Sequence, residues 1–196
     1  MFRNWTFGRK LGGGFAVSAI ALAIVAVTGF RSNRTLITND EWVSHSHLVR
    51  RQIAALITHI VDAESGQRGY VLTGRDAFLE PYTIALPAIE KTFAELHQLT
   101  ADNPNQTRRL EALRSTIDEK LAVLKRALDI RRAESLEAAA AAIAGSTGQT
   151  LIDKIRALIG EMDQEELHLL EIRKHDSVSA SETTKVVIIW GSLAAI

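Results

Sequence analysis

Asp62-Ala63-Glu64-Ser65-Gly66-Gln67-Arg68-Gly69-Tyr70-Val71-Leu72-Thr73-Gly74, followed by Phe78-Leu79-Glu80-Pro81-Tyr82, decides how the rest of the chain folds. Its first half continues an amphipathic helix whose apolar stripe is Val49, Ile53, Leu56, Ile57, Ile60 and Val61. Inside that helix Gly66 and Gly69 each cost about 1 kcal/mol relative to alanine. Such a cost marks a place where another backbone comes close. Gly74 fits a helix C-cap, Asp76 is placed to cap the next helix, and Pro81 falls in that helix's first turns. The stretch therefore predicts a helical hairpin. One helix runs from about Thr38 to Leu72 and breaks at Thr73-Gly74. The second runs from about Ala77 to Thr100, where Pro87 predicts a kink or a later start.

Working outward, Asp102-Asn103-Pro104-Asn105-Gln106 reads as a turn. A third helix then presents Leu110, Leu113, Ile117, Leu121, Leu124 and Leu128, a coiled-coil-like seam. It passes through Arg131 and Arg132 into the alanine run Ala138–Ala142, read as helix because alanine is the best helix former. Gly145-Ser146-Thr147-Gly148 ends it. A fourth helix carries Leu151, Ile155, Leu158, Met162, Leu169 and Ile172, with Glu165 interrupting the stripe, and continues toward Lys185. The clusters Arg131-Arg132 and Glu165-Glu166 read as solvated faces. No segment of useful length has strand periodicity. Four helices with short connections predict an all-α, antiparallel four-helix bundle. At 1.5 Å per residue the second helix spans roughly 36 Å and the third roughly 55 Å. Either the third–fourth hairpin overhangs the Gly74 turn, with the alanine-rich region as the place for the overhang, or one helix boundary lies elsewhere.

Two apolar stretches flank the bundle. Residues 11–30 carry no charge, and about 20 such residues cross a bilayer. A cleaved signal peptide also begins basic and turns apolar. The length of the stretch, and the absence of a small-x-small site at Val27-Thr28-Gly29-Phe30, favour a retained anchor. Arg3, Arg9 and Lys10 precede it and Arg31 and Arg34 follow, a slight positive-inside bias toward a cytoplasmic N-terminus. The run from Val186 to Ile196 is too short to cross alone. It is either a tail packed on the bundle or the beginning of a second span. Lys185 and Trp190, as interface anchors, favour the span. The expected order is a cytoplasmic N-terminus (1–10), a transmembrane helix (11–30), an extracytoplasmic bundle (38–185) and the start of a truncated second span (186–196).

Composition excludes several classes. The 196 residues carry 23 basic and 23 acidic side chains, so no nucleic-acid partner is indicated. With no cysteine there is no disulfide scaffold, thiolate nucleophile or cysteine-based metal site. His45 and His47 face different sides of a helix, and His59, His97, His168 and His175 lack any ligand spacing, so no metal site is expected. Gly12-Gly13-Gly14 lacks the lysine of a phosphate loop, and no catalytic residues or cofactor are indicated. What remains is the opening stretch. Ala63, Gly66, Gly69 or Tyr70, and Thr73 form a small-residue face. Beside it lie Gln67, Leu72 and Glu64, which stands four residues before Arg68, a helix-face pairing distance. One reading is a close helix crossing with a structural ion pair. The other is a polar pocket or switch near the bundle tip.

The residues D-A-E-S-G-Q-R-G-Y-V-L-T-G at 62–74, with F-L-E-P-Y at 78–82, resemble the signature of the third CHASE family. These are the type-three cyclase/histidine-kinase-associated sensory extracellular domains. The resemblance covers roughly residues 40–185. It implies an input domain of a bacterial inner-membrane receptor, set in the periplasm or outside the cell and acting as a homodimer. Family outputs include histidine kinases, diguanylate and adenylate cyclases and chemotaxis transducers. No H-box, catalytic domain or methylation helix lies within these residues, so the output is expected in a longer protein. On this reading Glu64, Gln67, Arg68, Tyr70 and Tyr82 are ligand or switch residues for an unidentified small-molecule or periplasmic ligand. Asp62, Gly66, Gly69, Gly74 and Pro81 are structural. The alternative is a membrane-tethered structural or adaptor bundle with no ligand.

Overall fold

The computed structural model describes residues 7–144 and 147–195. Its elements are α1 (Phe7–Thr73), a 3-10 turn (Asp76–Leu79), α2 (Glu80–Leu99), α3 (Pro104–Ala133), α4 (Leu136–Ala144) and α5 (Thr147–Ala195), with no strand among the described residues. The chain divides into two compact units, His45–His168 and the pair Met1–Ser44 with Leu169–Ile196.

The unit His45–His168 is an antiparallel four-helix bundle of α1, α2, α3 and α5. Cross-helix pairs fix the directions. Arg50 of α1 meets Asp163 of α5, and Arg114 of α3 meets Glu90 of α2. Glu64 of α1 meets Lys120 of α3, and further along α3 Arg131 Nε donates to the Val71 carbonyl of α1. The predicted stripes meet in one core. Val49, Ile53, Leu56 and Ile60 pack with Ala85, Ile89 and Leu96 of α2, with Leu110, Leu113, Ile117 and Leu124 of α3, and with Ile152, Ile155 and Met162 of α5. Each large aliphatic side chain so buried contributes about 1.5–3 kcal/mol. Val61 of the first stripe and Ile172 of the fourth are instead exposed.

Turn chemistry explains the boundaries. Gly74 takes φ +67° and its N–H donates to the Tyr70 carbonyl at 2.7 Å, closing α1. Asp76 does not cap α2. It lies in the 3-10 turn, and α2 begins later, at Glu80, with Pro81 in its first turn and no side-chain cap. Proline is tolerated there because that N–H has no helical partner. α2 continues through Pro87. Asn103 caps α3, its Oδ1 accepting from the N–H groups of Asn105 and Gln106.

Four expectations are corrected. The third helix does not run through the alanines. It stops at Ala133, Glu134 takes φ −128° and ψ −129°, and α4 starts anew with Ser135 Oγ accepting from Ala138 N–H. α4 does not overhang; Ala139 buries itself against a second cluster containing Tyr70, Val71, Ala127 and Leu128. Gly148 belongs to α5 rather than to the connection, whereas Gly145 and Ser146 lie outside the described residues. Finally, Glu166 is buried rather than solvated.

The other unit pairs the first part of α1 with the last part of α5. Gly191 packs against Val25, whose Cβ lies 3.9 Å from where a Cβ on Gly191 would stand. Arg173 stacks over the Trp42 ring at 4.9 Å and donates to the Trp42 carbonyl. Phe15, Ile20, Leu22, Phe30, Val186 and Trp190 are exposed. Among the described residues, α1 is the one helix long and apolar enough to cross a membrane, and its apolar window is wholly unburied.

Candidate functional site

Gly66 and Gly69 are where the start of α2 seats on α1. A Cβ on Gly66 would stand 2.6 Å from the Tyr82 backbone nitrogen and 3.3 Å from Pro81 Cβ. A Cβ on Gly69 would stand 3.2 Å from the Phe78 side chain. At 100° per residue, Glu64, Gln67 and Arg68 occupy a different side of the same helix turns. There they meet α3 and α5.

Lys120 of α3 completes the constellation, and sequence reading missed it. Its side chain is 1 % exposed. Its ammonium sits 3.1 Å from Glu64 Oε2 and donates to the Gly148 carbonyl at 3.1 Å. The other oxygen of Glu64 takes Arg68 at 2.6 Å. One carboxylate thus bridges two cations, one buried and one half in water. Gln67 is 1 % exposed, and its Nε2 has no hydrogen-bond partner among the described residues. A buried amide left so is destabilising by about 1–3 kcal/mol. These groups line a cavity of about 200 Å³ together with Val123, Leu124, Ala127 and Ile143. The charged lining residues Glu64, Arg68 and Lys120 sum to one net positive charge.

The other sequence-selected residues lie elsewhere. Tyr70 is buried in the second cluster, and Arg132 stacks over its ring at 5.5 Å. Tyr82 is half-buried and packs on Gly66. Burial pushes its phenol above the usual value and neighbouring Asp129 adds to the rise, while Lys125 and Arg132 oppose it. Neither tyrosine lines the cavity. Asp62 is exposed beside His59, Glu80 and Pro81. Gly74 faces Arg131, whose guanidinium would lie 2.9 Å from an added Cβ.

A second polar layer crosses the bundle at its other end. Buried Glu166 of α5 accepts from Ser46 Oγ at 2.7 Å and from Gln106 Nε2 at 2.9 Å. Gln106 also donates to the Met162 carbonyl. Arg50–Asp163 and Arg109–Glu165 flank this layer. No cluster of metal-ligating side chains occurs among the described residues.

The fold is that of an all-α module built on an antiparallel bundle. The family model of the CHASE3 domain matches residues 39–176, and the chain belongs to that family of sensory domains. Its fold is similar to the crystal structure of the Rhodopseudomonas palustris histidine kinase HK9 sensor domain. The two share 24 % identity with a TM-score of 0.59, over 63 % of this chain and 97 % of that one. No curated protein matches the chain in sequence. The domain is a sensory input module and is not itself catalytic.

Proposed function

We propose that this chain is the extracytoplasmic input module of a bacterial transmembrane receptor. Residues 11–30 anchor it in the inner membrane and residues 38–185 stand outside the cytoplasm. The run from Val186 leads into a second span toward an output domain. The observation that carries the reading is the continuity of α1 from Phe7 to Thr73. One helix bears an exposed apolar stretch long enough to cross a bilayer and, further along, Glu64, Gln67 and Arg68 of the cavity. α5 reaches the same cavity through Gly148 and Gln149 and ends in the second apolar run.

In this reading Glu64, Gln67 and Arg68 form the switch, with Lys120 added to them. Tyr70 and Tyr82 support it from outside the cavity. An occupant that fits one spacing of α1, α3 and α5 better than another shifts the bundle toward that spacing, and only that difference in affinity can do so. A buried charge pair adds little net stability, so its value lies in fixing one packing over another. In this reading the module works as a homodimer.

Topology tests the proposal, and the chain's lack of cysteine makes the test clean. Asn103→Cys places a thiol at the α2–α3 turn. In intact cells a membrane-impermeant maleimide should label it before lysis. Labelling only after lysis would overturn the proposal.

A further inference from the structure

We propose that the α1–α3–α5 cavity binds a small organic monocarboxylate. The inference rests on the reading of the chain as a sensory module and names the ligand class of its site. The chemistry follows from unused hydrogen-bonding capacity. Both oxygens of Glu64 are engaged, Oε1 by Arg68 and Oε2 by Lys120. The ammonium of Lys120 forms an ion pair with Glu64 and donates one of its three hydrogens to the Gly148 carbonyl. Arg68 forms an ion pair with Glu64, and its side chain is half-exposed. Gln67 Nε2 is buried and unpartnered among the described residues. The buried donor left without a partner, Gln67 Nε2, together with the two cations, calls for an occupant that brings acceptors.

Charge and shape narrow the class. One net positive charge remains on the lining, which a single carboxylate neutralises and a dianion overshoots. Val123, Leu124, Ala127 and Ile143 add hydrocarbon to the lining, which a bare inorganic oxyanion leaves without an apolar partner. A volume of about 200 Å³, well above the roughly 30 Å³ share of one liquid water, admits a small carboxylate of the size of propionate, butyrate or valerate. Its head lies among Lys120, Arg68 and Gln67, and its tail against Val123 and Leu124. Arg68, half-exposed, stands at the solvent side of the site, where an entering anion meets it first.

The test uses the full chain in detergent micelles, read by isothermal titration calorimetry and thermal unfolding. The probes are propionate, butyrate and valerate, with butyramide, sulfate and succinate as comparators. Saturable binding of at least one monocarboxylate is expected, with at least tenfold weaker binding of the neutral amide, since charge-assisted hydrogen bonds are about twice as strong as neutral ones. Gln67→Met should raise the unfolding temperature of the ligand-free protein by deleting a buried unpaired donor, and should weaken the monocarboxylate at least tenfold. A merely structural glutamine would give the opposite stability change. Arg68→Gln, on the exposed side, should weaken binding at least tenfold without changing the fold. It serves where Gln67→Met does not fold. Three results would overturn the proposal: no saturable monocarboxylate binding, equal binding of butyramide, or wild-type affinity in these variants. Extracytoplasmic labelling at residue 103 with no binding here would reject the ligand class and leave the sensory topology standing.

Discussion

Gly66→Ala isolates the packing on which the α1–α2 hairpin depends. In a helix interior, Gly→Ala is worth about 1 kcal/mol in favour of the folded state. At Gly66 the new methyl would stand 2.6 Å from the Tyr82 backbone nitrogen, 3.2 Å from its Cβ and 3.3 Å from Pro81 Cβ. Backbone cannot yield as a flexible side chain does, so overpacking, which typically destabilises by about 1–3 kcal/mol, falls at the upper end of that range. The net is a loss of about 1–2 kcal/mol. Gly160 is the internal control, because an added Cβ there meets nothing within 4 Å. Gly160→Ala should therefore gain about 1 kcal/mol. Gly69→Ala falls between: its neighbour is the Phe78 side chain at 3.2 Å, which can shift by a few tenths of an ångström. Thermal unfolding followed by circular dichroism of the full chain in detergent resolves the order. With roughly 2–4 °C per kcal/mol at this chain length, Gly160→Ala and Gly66→Ala should differ by about 4–12 °C. A Gly66→Ala protein that melts at or above wild type would refute the close-approach argument.

Further predictions concern the charged cavity and its surroundings. Lys120→Met should destabilise the bundle by about 1–3 kcal/mol, below the usual figure for breaking a buried pair because Arg68 still faces Glu64. Adding Glu64→Leu should recover most of that loss, and chemical denaturation of the single and double variants checks both statements. Tyr82 has a folded-state pKa above its unfolded value near 10. Its contribution is thus fully present below pH 10 and is lost as pH rises through the folded value. Denaturation midpoints should fall above pH 10 in wild type and fall less in Tyr82→Phe. Gly74→Ala should destabilise by about 1 kcal/mol or more, since φ +67° is unfavourable to a side chain and Arg131 occupies the space; the same unfolding assay measures it.

The bundle was legible because its core residues recur at helical spacing. Leu110, Leu113, Ile117, Leu124 and Leu128 all proved buried, and Gly74 ended its helix by the left-handed geometry that glycine permits. The break at Glu134–Ser135 was not legible, because alanine propensity favours helix on both sides of it and the stop arises from docking of Ala139 on Tyr70 and Leu128. The cavity was half legible. Glu64, Gln67 and Arg68 stood out by their setting among glycines. Lys120 carried a usable signal, since it lies three residues after Ile117 on the same seam and a lysine there must find a partner. Gln106, four before Leu110, and Glu166, four after Met162, carried the same signal. Polar residues at seam positions read as interruptions until the partner helix is known, because pairing is a tertiary fact that no single stripe contains. Tyr70 and Tyr82 were grouped with the cavity residues by proximity in sequence, but helical rotation sends Tyr70 to another face of α1, and Tyr82 belongs to α2, which seats on the Gly66 face.

The proposed receptor requires the first part of α1 and the last part of α5 to run side by side. A Cβ on Gly191 would lie 3.9 Å from Val25 Cβ, within the 3.5–4.5 Å that a disulfide spans. The measurement is oxidative cross-linking of Val25→Cys/Gly191→Cys in isolated membranes, read by electrophoretic mobility with and without reductant. The account predicts a rapid intrachain cross-link in the double variant that reductant reverses, and none in the pair Phe15→Cys/Gly191→Cys. Failure of residues 25 and 191 to cross-link in membranes, while the bundle remains folded, would contradict it.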